Sequence, residues 1–266
     1  MAEPAIQERR FRTIELERQG PVCTIILNRP PLNVIDMEMM GEIQSVLQEL
    51  DGEEKPSGVG VLVFRGAGKC FSAGVSIQDH TPDKIGEMIP RFHAIFRHLA
   101  RTEMVTVAAV HGACLGGGLE LVSICDLVVA ADNAQFGQPE IKLGQFPPVG
   151  VILLPYLMGY RKAAELVLGG GSIGASEAHQ FGLVNHVVPE AQLSECVDAV
   201  VRELTAGSPN TLRLTKSILR RVAGLDFERA LGESERFFLE TLAPTADAQE
   251  GIFAFLEKRA PHWRGR

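Results

Sequence analysis

Residues 111–126 read HGACLGGGLELVSICD, and the reading of this stretch decides the fold. An apolar run leads into it, three consecutive glycines (Gly116, Gly117 and Gly118) interrupt it, and a carboxylate, Glu120, follows almost at once. Residues 119–125 have the apolar content of a buried helix start. A strand that ends in glycines opening a helix leaves bare backbone N–H groups at the positive end of that helix. Such a place either binds phosphate or holds the oxyanion of acyl chemistry. An acid beside the glycines repels phosphate. A P-loop needs Lys-Ser/Thr after its glycines, where Leu119-Glu120 stands here. A dinucleotide fingerprint needs G-x-G-x-x-G, and the order here is G-G-G-x-E.

Outward from this stretch, strands and helices alternate. Residues 11–17 (FRTIELE) alternate apolar and polar side chains, as a half-exposed strand does, and residues 22–27 (VCTIIL) read as a buried strand. Gln19-Gly20-Pro21 between them marks a hairpin turn. Asp36 is placed to cap a helix reaching Leu50. Two central strands are predicted at 58–64 (GVGVLVF) and 104–110 (MVTVAAV). Between them lie an irregular glycine-bearing segment at 66–74 and a helix over 85–100. Short extended pieces follow at 127–130 and 134–136, and a last strand at 183–188. From Glu190 to Arg259 the pattern is helical, with breaks near Gly207-Ser208-Pro209, Gly224 and Ala243-Pro244. This recurrence of strands with one helix predicts a layered α/β core. A boundary is drawn near Val188. Residues 1–188 form the core that carries the site, and residues 189–266 form a helical region that packs on the core or on another subunit.

Composition narrows the function classes. The chain has 266 residues, of which 45% are hydrophobic, so it can bury a substantial core. A net charge of −7 without a dense basic block argues against nucleic acid as the main partner. The five cysteines (Cys23, Cys70, Cys114, Cys125 and Cys196) are odd in number and widely spaced, as expected of reduced thiols in a cytoplasmic protein. No signal core opens the chain, and no stretch supplies the roughly 18 uninterrupted apolar residues of a membrane-spanning helix. The seven histidines make no H-x-x-x-H or H-E-x-x-H pattern, so no metal site is expected.

The candidate chemistry is acyl transfer or addition. The amide of Gly117, with a partner amide from the second glycine break at 71–75 (FSAGV), plausibly that of Val75, would hydrogen-bond a carbonyl oxygen as it becomes negative. Glu120 lies close enough to act as acid or base beside that carbonyl. Its neighbours Leu119, Leu121, Val122 and Ile124 are apolar, which raises a carboxyl pKa unless the group is paired. The plainer reading is a structural carboxylate capping backbone amides, and the residues taken alone favour it. A second acid, Glu140, stands in FGQPEIKLG beside Pro139, Phe136, Ile141 and Leu143. Two such acids could hold one water between them, although a surface loop acid is the commoner situation. His93 and His98 fall on different sides of their helix, and His111 reads as a hydrogen-bonded core residue. Asp79-His80 reads either as an acid–imidazole pair at a pocket rim or, as the residues favour, as a polar loop capping the next helix. There is no G-x-S-x-G elbow, and Ser72 and Ser123 have no evident base.

Residues 108–144, AAVHGACLGGGLELVSICDLVVAADNAQFGQPEIKLG, closely resemble the central signature of the enoyl-CoA hydratase/isomerase (crotonase) superfamily. LNRPPLNVID resembles its first CoA-loop segment, FSAGVSI its first oxyanion segment, ASEAHQFGLVNHVVP the lead into its C-terminal helices, and EGIFAFLEKR its terminal helix. The resemblance implies a spiral of repeated strand-strand-helix units followed by a helical trimerisation region, with trimers pairing into hexamers. It implies an acyl-CoA thioester substrate and no metal or redox cofactor, coenzyme A being part of the substrate. The thioester oxygen would lie between the amides of Val75 and Gly117. Glu120 and Glu140 match the family's two catalytic glutamates, and keeping both favours hydration. Glu120 would assist water activation and Glu140 would protonate the α-carbon. Ala73, Ile77, Phe146 and Pro147 would shape the acyl pocket, and Phe255 and Lys258 match positions that contact CoA from a neighbouring subunit. The rival readings are an isomerase or thioester hydrolase on the same fold, or a non-catalytic CoA- or RNA-binding scaffold.

Two departures bear on the substrate. The family's usual aspartate after the first oxyanion residue is Ser76 here. After the second acid the common hydratases have a glycine-rich stretch followed by Thr-Gln-Arg, whereas this chain reads QFPPVGVILLP over 145–155. Phe146 with two prolines predicts a stiffer, differently shaped pocket. GVSIQDHTPDK together with FPPVGVILLP resembles hydratases of cyclic dienoyl-CoA thioesters.

Overall fold

The computed structural model describes residues 7–51 and 59–265. The strand expected over 58–64 therefore begins, at Gly58, outside the described residues. The hairpin forms as the alternation demands. Strand β1 (Gln7–Arg10), fully exposed, pairs with β2 (Ile14–Gln19), which buries Ile14 and Leu16 and turns through Gly20, at φ 57°, into β3 (Val22–Leu27). Helix α1 (Met37–Leu50) starts where Asp36 Oδ1 accepts the Met39 N–H at 3.0 Å. That bond satisfies one of the helix's orphan donors. Strand β4 (Val61–Gly66), helix α2 (Ile85–Leu99) and strand β5 (Val105–Val110) follow. Next come β6 (Ala113–Leu115), α3 (Gly117–Ser123), β7 (Leu127–Ala131) and β8 (Gln135–Gly137).

Among the described residues the large sheet has seven strands, in the order β1-β2-β3-β4-β5-β7-β10, β10 being His186–Val188. From β3 onward its neighbours run parallel, so each step needs a crossover, and α1 and α2 supply the first two. The central strands are buried on both faces, which explains their unbroken apolar runs. Leu62, Phe64, Ala108 and Val110 join the core beneath α1 and α2. Val61, Val63, Val107 and Ala109 pack with Val197 of α7 (Leu193–Thr205) on the other face.

A second, three-stranded sheet, β6-β8-β9, with β9 at Ser172–Gly174, turns the layers into a spiral. After β5 and again after β7 the chain leaves the large sheet and adds a strand to the small one. Loops extend this stack. The Ser72 N–H donates to Ala113 O and Leu115 N–H to Ser72 O, each at 3.0 Å, while Ile35 N–H donates to Gly74 O at 2.9 Å. Residues near 35, 72–75, 113–116 and 135–137 thus lie as successive rungs, and these rungs carry the site.

Three helices lie where no element was foreseen. Helices α4 (Gly150–Met158) and α5 (Tyr160–Gly169) precede β9 (Ser172–Gly174), and α6 (Ala175–Gln180) follows it. Helices α8 (Pro209–Val222), α9 (Phe227–Phe237) and α10 (Ala246–Leu256), broken at the expected glycines and prolines, complete the chain. Lys216 of α8 is buried against the core, pairing with Asp126 at 2.7 Å and donating to Met104 O. Arg220 reaches Asp126 at 3.0 Å. Helices α9 and α10 leave Phe227, Leu231, Phe253 and Phe255 exposed. Among the described residues no helix is long and apolar enough to cross a membrane.

Candidate active site

The rung at Gly116 shows why glycine stands there. Its backbone has φ 52° and ψ −125°, which side-chain-bearing residues rarely adopt, and a Cβ would lie 2.6 Å from Glu140 Oε1. The bend directs the Gly116 N–H to Gly137 O at 2.9 Å and leaves the next amide, that of Gly117, at the open end of α3. No acceptor for the Gly117 N–H occurs among the described residues. Helix α3 is only seven residues long, so the N–H itself matters more here than the macrodipole expected from the sequence.

Val75 faces the same space for a geometric reason. Gly74 O and Ser76 N–H both bond Ile35 on one side, and in extended chain the intervening N–H points the other way. The Val75 amide also has no acceptor among the described residues. The two segments touch closely. A Cβ on Gly74 would stand 2.9 Å from Leu115 O and 3.6 Å from the Gly117 nitrogen. Buried Asn33 holds the loop in place, its Nδ2 donating to Ala67 O and Cys70 O, each at 2.8 Å. Ser72 Oγ donates to Asn33 O at 2.8 Å and accepts from Gly74 N–H at 3.1 Å.

Both acids are present at this point. Glu120 is 3% exposed, and its Oε1 accepts the Val149 N–H at 2.7 Å and the Gly150 N–H at 2.9 Å, at the start of α4. The capping role considered from the sequence is therefore observed, for a helix the sequence reading had not placed. Burial raises the Glu120 pKa, and the two N–H bonds oppose the rise. Glu140 lies on a 3₁₀ turn, Pro139–Leu143. Burial pushes its pKa up to about 7, a backbone N–H opposes this, and the nearby Glu120 charge adds to it. The Gln138 amide, turned with its nitrogen toward the acid, donates to both Glu140 oxygens at 2.9–3.0 Å.

These groups line one cavity of about 110 Å³. Of the residues singled out in the sequence, it brings together Ala73, Val75, Ile77, Gly117, Glu120, Glu140, Phe146 and Pro147. Phe255 and Lys258 do not line it, and Phe255 is 83% exposed. The remaining wall is α2, through Met88, Ile89, Phe92 and His93, with His80 at the end of the 77–80 turn. Met88, Ile89 and Phe92 of this wall carry no site signal in the sequence, whereas Asp79-His80 is open there to a reading as a pair at a pocket rim. The helical spacing of Met88, Phe92, Ile95 and Phe96 marks a buried face, but not that part of it borders an opening. Asp79 does not pair with His80. Its carboxylate accepts the Met37 N–H at 3.3 Å at the start of α1 and lies 3.8 Å from Lys84 Nζ at the start of α2, a helix that no side chain caps by a hydrogen bond. A groove of about 440 Å³ sharing Ala73, Val75 and Ile77 leads outward past Arg29 and Gln78.

A profile of enoyl-CoA hydratase/isomerase proteins matches residues 17–266. The chain belongs to this family. Among relatives of known name, a probable enoyl-CoA hydratase of Mycobacterium bovis is 37% identical, over 96% of this chain and 99% of its own. The cyclohexa-1,5-dienecarbonyl-CoA hydratase of Thauera aromatica is 34% identical, over 94% of this chain and 96% of its own. The solved enoyl-CoA hydratase subunit I of Geobacillus kaustophilus superposes with a TM-score of 0.86 at 35% identity, covering 96% of this chain and 99% of that one. The enoyl-CoA hydratase/isomerase fold is thus the one the two sheets describe, and its spiral explains why residues near 75, 117 and 140 share one cavity.

Proposed function

We propose that the chain adds water across the α,β double bond of a CoA thioester with a small acyl group. The observation that carries this reading is the meeting, in one cavity, of a buried carboxyl, a partly buried one and two backbone amides without acceptors among the described residues. The thioester carbonyl accepts from the Val75 and Gly117 N–H groups, and a water lies between Glu120 and Glu140. The water oxygen bonds to the β-carbon while the π electrons move to the thioester oxygen, whose charge the two amides stabilise. Glu140 gives its proton to the α-carbon, and Glu120 takes one from the water. A proton passing from Glu120 to Glu140 through solvent restores the starting state. Their surroundings divide the roles. Two N–H bonds favour the charged form of Glu120, and a pKa of about 7 keeps a proton available on Glu140 near neutral pH.

Atoms and charge balance without a redox or metal cofactor. The groove past Arg29 leads the CoA outward. A cavity of about 110 Å³ is smaller than the roughly 150 Å³ that holds benzene, so it suits a short chain better than a ring. The apolar side chains left bare on α9 and α10 support a homotrimer or a hexamer, in which Phe255 and Lys258 approach a neighbour's CoA. The unpaired, mostly buried cysteines suit a cytoplasmic location. The test is mass analysis of products from but-2-enoyl-CoA, longer enoyl-CoAs and cyclohexa-1,5-diene-1-carbonyl-CoA. Hydration adds one water to at least one of them, whereas an unchanged mass or release of free CoA from every substrate refutes the reading.

A further inference from the structure

The Val75 and Gly117 amides can act together only at a fixed spacing, and the packing around the start of α3 shows what fixes it. A Cβ on Gly118 would lie 2.9 Å from Ser72 Cβ and 3.0 Å from Ser72 O, so the first turn of α3 rests on the loop that carries Val75. At Gly117 a different element is met. A Cβ there would lie 2.9 Å from Phe92 Cζ and 3.2 Å from Phe92 Cε1, and would overlap the Val75 Cγ2 methyl. The Gly117 Cα is therefore in contact both with the tip of the Phe92 ring and with the side chain of the residue that supplies the other amide. Phe92 is 2% exposed and lines the cavity beside Val75 and Gly117. Its ring meets that of Phe96 edge to face, with centroids 4.9 Å apart and an interplanar angle of 81°. Met88, Ile95, Phe96 and Leu99 bury the same face of α2, which anchors the ring in the core. Close-packed contacts of this kind pass a displacement on rather than absorb it.

We propose that Phe92 is a positioning residue for the thioester oxygen, its ring holding the Gly117 amide at its spacing from the Val75 amide. The inference rests on the CoA-thioester reading of the same cavity. Phe92 has no donor, acceptor or charge to offer the reaction, and it acts through Gly117. Backbone N–H groups stabilise a developing negative charge best when they are already in place and do not have to move. A shorter side chain at 92 opens a gap beside Gly117 into which the start of α3 can shift. A longer one, extended at Cζ, pushes Gly117 the other way. Either change moves one amide of the pair and leaves the groove past Arg29 as it is. The loss therefore falls on the charged transition state and little on binding.

The test reads the amides directly. Infrared difference spectra of isotope-labelled butanoyl-CoA, which has no double bond to hydrate, give the thioester carbonyl stretch free and bound. In the wild type the bound stretch lies at lower frequency, because two N–H groups donate to the oxygen. Phe92→Leu, Phe92→Ala and Phe92→Tyr each lose about half of that shift or more. With but-2-enoyl-CoA the same variants lose about 10- to 100-fold in kcat, while KM changes by less than about threefold. Phe92→Leu and Phe92→Tyr keep a large side chain, so the test stands if Phe92→Ala does not fold. Leu99→Ala removes an equally buried side chain from the same helix, away from the cavity, and leaves both readouts as in the wild type. A wild-type carbonyl that does not shift on binding overturns the proposal. So does a shift that persists in the Phe92 variants, or one that Leu99→Ala reduces as much as they do. If but-2-enoyl-CoA and longer enoyl-CoAs are not hydrated while the shift is present and falls in the Phe92 variants, the hydratase reading fails and this one is supported.

Discussion

Replacing Glu140 with glutamine removes a proton donor and a buried charge at once, and the two effects separate cleanly. The carboxyl is raised from 4.5 to about 7 on folding, mainly by burial. That gap corresponds to about 3 kcal/mol at roughly 1.4 kcal/mol per pH unit. Glu140 is only partly buried, so water screens the charge and about 1–2 kcal/mol remains. The folded state binds this proton more tightly than the unfolded state. Its stabilising contribution is therefore complete below about pH 4.5 and is lost as the pH rises through about 7. Glutamine carries no charge at any pH. The stability of Glu140→Gln relative to wild type should thus rise by about 1–2 kcal/mol between pH 4.5 and pH 8. Urea unfolding at a series of pH values measures this. In the same variant, hydration of an enoyl-CoA should fall by roughly 10²–10⁴ while CoA-thioester binding survives. A stability difference that does not change with pH would refute the burial argument, and near-normal turnover would refute the catalytic one.

Glu120→Gln keeps an oxygen for the Val149 and Gly150 amides and should fold like wild type with turnover lost, whereas Glu120→Ala should also lower the melting temperature. Gly116→Ala forces a side chain into the space held by Glu140 and should lower kcat about 10²-fold or more with a smaller change in KM, as steady-state kinetics will show. Asn33→Ala strips one buried and one partly buried carbonyl of their donor and places alanine at φ 51°, which should destabilise the fold by about 3 kcal/mol in urea titrations. The kcat/KM profile should fall as pH rises past about 7, where Glu140 loses its proton, and fall again on the acid side as Glu120 becomes protonated.

Much of the fold is legible in residue order because local rules and burial agree there. The alternation in β2, the Gly20 turn, the Asp36 cap and the two-sided apolar strands β4 and β5 each state their own structure. The segment from Gly150 to Gln180 does not. Helix α4 is apolar nearly all round and contains Pro155, so it shows no stripe of helical period. The three-residue strands of the small sheet are too short to carry a period, and only their neighbours make them strands. The site was legible as residue types in sequence, and the stacking of rungs that brings Val75 to Gly117 was not. His93 stands on an apolar helix face, which looks the same in sequence whether it borders packed side chains or an opening, and only the cavity tells them apart.

Glu120 ties the chemistry to the shape of the pocket. The amides it binds, those of Val149 and Gly150, begin α4 directly after Phe146, Pro147 and Pro148. Pro147 packs against this start so tightly that a Cβ on Gly150 would meet its ring carbons at 3.0 Å. The backbone that positions the acid is therefore the backbone that walls the acyl group. A pocket reshaped by these prolines cannot be altered without shifting the donors that favour the charged form of Glu120. Glu140 has no such tie. It stands on a separate 3₁₀ turn, admitted beside Gly116 only because that residue has no side chain. The two acids thus answer to different parts of the chain. In the proposed reaction the segment 146–150 sets the acyl wall and the ionisation of Glu120 together, while the glycine at 116 fixes where the proton of Glu140 would be delivered.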